Sequence, residues 1–364
     1  MVVQIALCGD VMLGRGIDQV LAHPGDPALT ESYVHDARRY VELAEAVAGQ
    51  VPAPVGDDWP WGDALAELQR SAVRVVNLET SVTRSGTFAP GKAVHYRMEP
   101  DNVGSLAVAR PDVCVLANNH VLDFGRGGLE ETLETLDRAG LTVAGAGHDL
   151  AQATAPALVR TRDQPPVSVL AFGHGSSGVP PDWAAVADRP GVALLPDLSE
   201  RTAAQVGDRV RQEKRQGAIV VVSLHWGSNW GYEVPREQVL FARRLVDAGA
   251  DVVHGHSSHH PRPVEVYAGR LVLYGCGDFV NDYEGIRGHD EYRPDLRLLY
   301  QVSVDPDGAL LAVDLVPFRS RRLRLERAGD HDVAWLCRVL DRVSRSHGSR
   351  VRPTAAGGME VTWR

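Results

Sequence analysis

The sequence predicts an α/β protein: layered parallel strands and helices, with an antiparallel addition late in the chain. Apolar strand-like runs alternate with helical patterns through most of the 364 residues. Five of those runs, far apart in sequence, stop at Asp, Glu, Asn or His. Near the end, two alternating runs at 296–304 and 309–317 flank Asp305-Pro306-Asp307-Gly308, a hairpin turn.

Taken in order, residues 2–8 form the first strand, and the loop Gly9–Gly16 after it carries Asp10, Met12 and Arg15. A helix is expected around Val34–Val47. The Pro-rich loop to Trp61 either borders a cleft or is pinned to the body by Trp59 and Trp61, the second being favoured. A helix at 63–69 leads to a strand at 73–76 that ends in Asn77-Leu78-Glu79. Residues 101–109 read as a helix capped by Asp101. The run from Asp112 stops at Asn118-Asn119-His120, and a glycine-rich turn then opens a helix with Leu129, Leu133 and Leu136 on one face. Gly140 stands where a left-handed cap belongs.

Short strands follow at 141–144, 155–160 and 167–172, then a helix at 199–215. The strand 218–224 ends in His225-Trp226-Gly227, and Pro235 opens a helix that stops near Gly249. Residues 251–253 end in His254-Gly255-His256, and strands between 263 and 275 lead to Gly277-Asp278. A last helix covers 332–345. Residues 1–345 are read as one domain, and 346–364 as a poorly ordered tail.

A formal charge of -9 argues against nucleic acid as a partner, which needs clustered Lys and Arg. The one basic run, Arg319–Arg324, alternates with apolar residues and reads as a half-exposed strand. No run is long enough to cross a bilayer and no basic leader is present, so no membrane partner is expected. Four cysteines without a close pair read as reduced thiols in a cytoplasmic protein. The oligomeric state stays open.

Ligands of open α/β sheets bind at the carboxyl ends of strands, so the polar strand ends are placed for chemistry. Asp10, Glu79, Asn119, His225, His254 and His256 form a set of metal-ligand type. Mixed oxygen and imidazole donors suit Mn, Zn or Fe, and oxygen-rich sets suit Ca or Mg. His254 and His256 point to one side of an extended segment. His120 and His256 are the leading proton carriers and His225 a further one, with Asp10 and Asp278 as carboxylate partners. Arg15 holds either a substrate carboxylate or a neighbouring acid. Trp226, Trp230 and Tyr232 either stack on an aromatic substrate or pack in the core; surface loop is the plain reading of His259 and His260, and His260 is left there.

Several motifs occur in one order: Gly9-Asp10-Val11-Met12-Leu13-Gly14-Arg15, Asn77-Leu78-Glu79, Ala117-Asn118-Asn119-His120 with Asp123-Phe124-Gly125, His225-Trp226-Gly227, and Gly255-His256 before Pro263–Tyr267. In these the chain resembles the CapA-like family of poly-γ-glutamate capsule synthesis proteins, similar in fold to the calcineurin-like metallophosphatases. The resemblance covers residues 3–317. It implies a four-layer α/β/β/α sandwich with a metal-centred site at the strand ends.

The departures bear on function. Met12 stands where calcineurin-like phosphatases have His, and Leu78-Glu79 where they have Gly-Asp. Gly255-His256-Ser257-Ser258-His259 replaces Gly-His-His-Pro-His, and Gly277-Asp278-Phe279 replaces Gly-Asn-Phe. The first-metal side of a two-metal site therefore looks depleted. Among CapA-like proteins, the peptide epimerases of lasso-peptide biosynthesis fit these changes and the absence of an anchor. That branch implies a metal-dependent enzyme inverting the Cα of a precursor peptide's C-terminal residue, Trp by preference, through His/Asp acid–base pairs. A metallophosphoesterase and a capsule-type binding or biosynthesis protein are the alternatives.

Overall fold

A computed structural model describes residues 2–363, and most of its strands fall into two large sheets. In the first, Val3–Val11, Val73–Leu78, Val113–Val115 and Val143–Ala144 run parallel as neighbours. On the other side of Val3–Val11 lies the antiparallel pair Leu296–Val304 and Leu310–Ser320. The second sheet orders Leu194–Leu195, Val167–His174, Ile219–His225, Val252–His256 and Arg270–Leu273 in parallel. Val264–Tyr267 closes its edge antiparallel.

The strand period of two sorts the core. Ile5 and Leu7 of the first sheet share one buried cluster with Val169, Val221 and Val252 of the second, so these rows of the two sheets face each other. Their neighbours Ala6 and Cys8 belong to another cluster, with Leu129, Leu133 and Leu136 of the helix Gly125–Arg138. Val220 and Val222 pack instead with Val210 of Glu200–Arg215 and with Phe241 and Leu245 of Arg236–Asp247. Each such Val, Leu or Phe contributes about 1.5–3 kcal/mol by leaving water.

The polar strand ends come from both sheets: Asp10, Glu79 and Asn119 from the first and His225 and His256 from the second. Two expectations are corrected. Asp101 caps no long helix, because Pro100–Asn102 is a single tight turn before the short helix Gly104–Ala107. The tail is not disordered where it is described. Ser349–Pro353 and Met359–Trp363 pair antiparallel, and Met359–Trp363 extends the first sheet beside Leu310–Ser320. The loop tryptophans do anchor their loop: Trp61 is fully buried and donates to the Ser105 carbonyl at 2.6 Å, and Trp59 donates to that of Arg322. Gly140 takes the left-handed conformation at the end of its helix, with φ of 71°.

Candidate metal centre

The strand ends of both sheets meet at one place. Asp10 lies near the end of Val3–Val11, beside Asn77, with Glu79 just past the next strand. His225 and His256 end neighbouring parallel strands in register. Gly9 permits a third element to approach. A Cβ there would sit 1.6 Å from the Gly277 carbonyl oxygen, and the contact lets the Asp10 N–H donate to that oxygen at 3.1 Å. Asp278 thereby becomes the register partner of Asp10.

Two donor groups share Asp10. In one, ligand atoms of Asp10, His225 and His256 all lie within 4.8 Å of one another; in the other, those of Asp10, His259 and Asp278 do. His225 Nδ1 lies 2.8 Å from His256 Nδ1, and Asp10 Oδ1 is 3.9 Å from the latter. Asn119 Oδ1 is 3.0 Å and Glu79 Oε1 3.6 Å from His225 Nε2. Asn77 donates to Asp10 Oδ1 at 2.8 Å and to Glu79 Oε2 at 3.2 Å, so one amide orients both acids. Asn118 orients that amide in turn, donating to Asn77 Oδ1 at 3.1 Å.

Burial dominates the electrostatics. Asp10, His225 and His256 are fully buried. Burial and the charge of Asp278 push the Asp10 carboxyl up to about 7. Burial and Asp10 raise Glu79 well above the carboxylate range. Burial, reinforced by neighbouring histidines, holds His225 and His256 well below the usual imidazole value.

The second group fills the side that looked depleted. Asp278 Oδ1 holds His259 Nδ1 at 2.9 Å, and Asp278 Oδ2 accepts from Asn281 Nδ2 at 2.6 Å. His259 is outside the ligand set that the sequence suggests. Ser257 takes φ of 103°, a left-handed conformation unusual for a residue with a Cβ, in the short link that carries His259 back to Asp278. Asn229 Nδ2 donates to His259 Nε2 at 3.0 Å.

His120 stands beside the centre. Its Nδ1 is 2.6 Å from Asp123 Oδ2 and its Nε2 is 3.9 Å from Glu79 Oε1. Lys92, from a loop without periodicity, reaches the Asn119 carbonyl and the Asp123 carboxylate, with His120 Nδ1 at 3.4 Å. Burial, with Lys92 acting in the same sense against the opposing pull of Asp123, brings His120 down to about 4. At neutral pH it is therefore an uncharged imidazole with Nδ1–H directed at Asp123 and Nε2 free to face the centre.

Other sequence-predicted residues lie elsewhere. His254 is in neither group: Nδ1 meets Ser223 Oγ at 3.1 Å and Nε2 meets the Cys8 carbonyl at 2.9 Å, pinning the two sheets together. Arg15 holds neighbouring acids, not a free ligand. It donates to Asp282 at 2.5 and 3.1 Å and to Glu31 at 2.7 Å, under the rings of Tyr40 and Tyr96. Trp226 is core, packed on Phe241 with its N–H on the Tyr274 carbonyl. Trp230 stacks on His289 at 3.8 Å and lies 5.2 Å from the ring of His259, so it borders the centre. Tyr232 and His260 pack together behind it, and His260 is buried rather than exposed.

The residues present fit a divalent cation. Asp10 Oδ2 is buried without a hydrogen-bond partner. Two further acids with buried carboxyls, Glu79 and Asp278, crowd around it, a charge density that a cation relieves. Imidazole and carboxylate donors a few ångströms apart match the spacing around an ion with bonds of about 2.0–2.2 Å. Asp10, His225 and His256 would hold one ion with Asn119 and Glu79 alongside; Asp10, His259 and Asp278 would hold a second.

Fold and site thus define a mixed α/β protein with an Asp/His cluster of metal-binding type between two sheets. Residues 4–283 match the family described as bacterial capsule synthesis protein PGA_cap, and the chain belongs to that family. It is 53% identical over 354 residues to a probable polyglutamine synthesis accessory protein of Mycobacterium tuberculosis, covering 96% of this chain and 93% of that one. It is 28% identical to the PGA biosynthesis protein CapA of Bacillus subtilis, over 79% of this chain and 66% of that protein. A hypothetical protein from Thermus thermophilus aligns in structure over 87% of this chain and 99% of its own, with TM-score 0.45 and 13% identity. Among the described residues no helix is long and apolar enough to cross a membrane.

Proposed function

We propose that this chain is a divalent-metal-dependent enzyme of capsule-type polyglutamate synthesis that hydrolyses a bond in its polyglutamyl substrate. We read its architecture as the four-layer α/β/β/α sandwich of metallophosphatase-like proteins. The observation that carries the function is the sharing of Asp10 by two donor groups, one completed by His225 and His256 and one by His259 and Asp278. Two donor groups that share one carboxylate would hold paired ions, and paired ions suit hydrolysis. The relatives named for polyglutamine and PGA synthesis supply the substrate class.

When bound, the ions polarise the scissile group and lower the pKa of water; Mn or Zn matches the mixed donors. The rest falls to the chain. Asn77 fixes the carboxyls of Asp10 and Glu79. Asp123 and Lys92 fix His120, whose Nε2 takes or returns a proton at the reacting atom. Burial of the donors excludes bulk water.

The test is incubation of poly-γ-glutamate with the protein and Mn or Zn, following chain length. Shortening that a chelator stops and His120→Ala slows supports the proposal. A polymer unchanged under all conditions sinks it.

One observation favours peptide epimerisation as a second reading. Glu79 Oε1 lies 3.6 Å from His225 Nε2 and 3.9 Å from His120 Nε2, so two imidazoles and a carboxyl, groups that exchange protons, meet at one point. It predicts chelator-sensitive deuterium uptake at the last Cα of a precursor peptide in D2O, without cleavage.

A further inference from the structure

A cavity of about 810 Å³ lies away from the metal centre. It lies between the loop from Tyr283 to Asp295, the end of the strand Leu310–Ser320 and residues 326–332. Its size is that of small-ligand sites. Two wall residues connect it to the centre. The Tyr283 ring stands edge-on to His259 at 5.2 Å. Arg297 donates from Nη2 to Asn281 Oδ1 at 2.7 Å, and Asn281 donates to Asp278 Oδ2 at 2.6 Å.

The charges of the wall are unequally committed. Arg293 and Arg319 share Asp295 and Asp332 in a closed network. Arg297 is 1% exposed, has no carboxylate partner, and keeps a buried Nε without an acceptor. Arg287 is exposed and makes no ion pair among the described residues. Arg321 reaches Glu326 only at 3.9 Å, an acid that Arg322 also approaches at 3.4 Å. Against these guanidiniums stand Glu284, already accepting the Leu323 N–H at 3.0 Å, and Asp290. Uncommitted guanidiniums bind carboxylates in paired hydrogen bonds. The two acids offer acceptors to amide N–H groups, which an inorganic anion lacks.

We propose that this cavity binds an acidic oligopeptide, its successive carboxylates held by Arg287 and Arg321, with Arg297 linking the occupied cavity to Asp278. The acidic-peptide class follows from the wall; only its γ-linked form rests on the capsule-polymer proposal.

Calorimetric titration of the full chain at low salt with tri-γ-glutamate and with α-linked triglutamate tests this. The variants are Arg287→Glu and Arg321→Glu, both at exposed side chains, and His225→Ala at the metal centre. Binding of either trimer should weaken about tenfold or more in each arginine variant, the loss of one charged hydrogen-bonded pair, and stay unchanged in His225→Ala. Binding of the α-linked trimer alone supports the cavity and removes the γ-linked polymer. Binding of the γ-linked trimer that responds to His225→Ala but not to the arginine variants overturns the cavity and leaves the capsule proposal standing. No binding of either trimer overturns the cavity site.

Discussion

The Asp10 carboxylate and the His256 imidazole come from different sheets, yet Oδ1 lies 3.9 Å from Nδ1. The centre therefore exists only while the sheets are docked. His254 reinforces the docking one step deeper, with Nε2 on the Cys8 carbonyl. The donors are fixed by the fold's own core.

Lys92 is the ammonium that compensates the buried Asp123 carboxylate. Lys92→Met leaves that carboxylate alone and should lower unfolding free energy in urea by about 3–5 kcal/mol. Adding Asp123→Asn should restore a large part of the loss. A double variant no more stable than the single one would contradict this assignment.

The same pair sets a pH dependence. Burial opposes ionisation of Asp123, but its partners outweigh it and hold the carboxyl below its ordinary value. His120 is uncharged at neutral pH, so Lys92 and the donated N–H groups, including that of Tyr96 at 2.7 Å, carry the effect. A depressed acid stabilises the fold above its unfolded pKa, about 3.9, and loses this as pH falls through the folded value. The advantage of wild type over Lys92→Met should be full at about pH 6 and shrink below about pH 4. A difference constant over that range would remove Asp123 as its source.

Arg15 serves stability, not ligand capture. With Asp282 and Glu31 both fully buried around it, Arg15→Met should destabilise by about 3–5 kcal/mol. Metal content per folded molecule should stay at the wild-type level, as read by elemental analysis of the monodisperse fraction.

The last strands belong to the core. Val351, Met359 and Val361 are each at most 4% exposed, and Cys337 of the last helix donates to the Val351 carbonyl. A chain ended after Ser346 should lose about 5 kcal/mol or more, at 1.5–3 kcal/mol for each buried apolar side chain. A melting temperature equal to wild type would return this segment to the status of a tail.

Asp10, Glu79, Asn119, His120, His225 and His256 were legible because each follows an apolar run that stops abruptly, and the structure brings them together. His259 was not, because the turn at Ser257 breaks strand periodicity before it. Lys92 comes from a Gly/Pro loop whose path only tertiary packing decides. Arg15 was ambiguous for the same reason: Asp282 becomes its partner only through the fold. Which of the two sheets each strand joins was not legible, because parallel buried strands read alike in either. The tail did carry a signal, the alternation Met359-Glu360-Val361-Thr362-Trp363, that its terminal position obscured.

Metal stoichiometry tests the centre most directly. Protein equilibrated with Mn or Zn, desalted and measured by elemental analysis, would be compared with His259→Ala, His225→Ala and Asp10→Ala, each checked for folding by circular dichroism. The shared carboxylate predicts two ions per chain in wild type, one in each histidine variant and none in Asp10→Ala. Folded Asp10→Ala that keeps the wild-type metal content would contradict it.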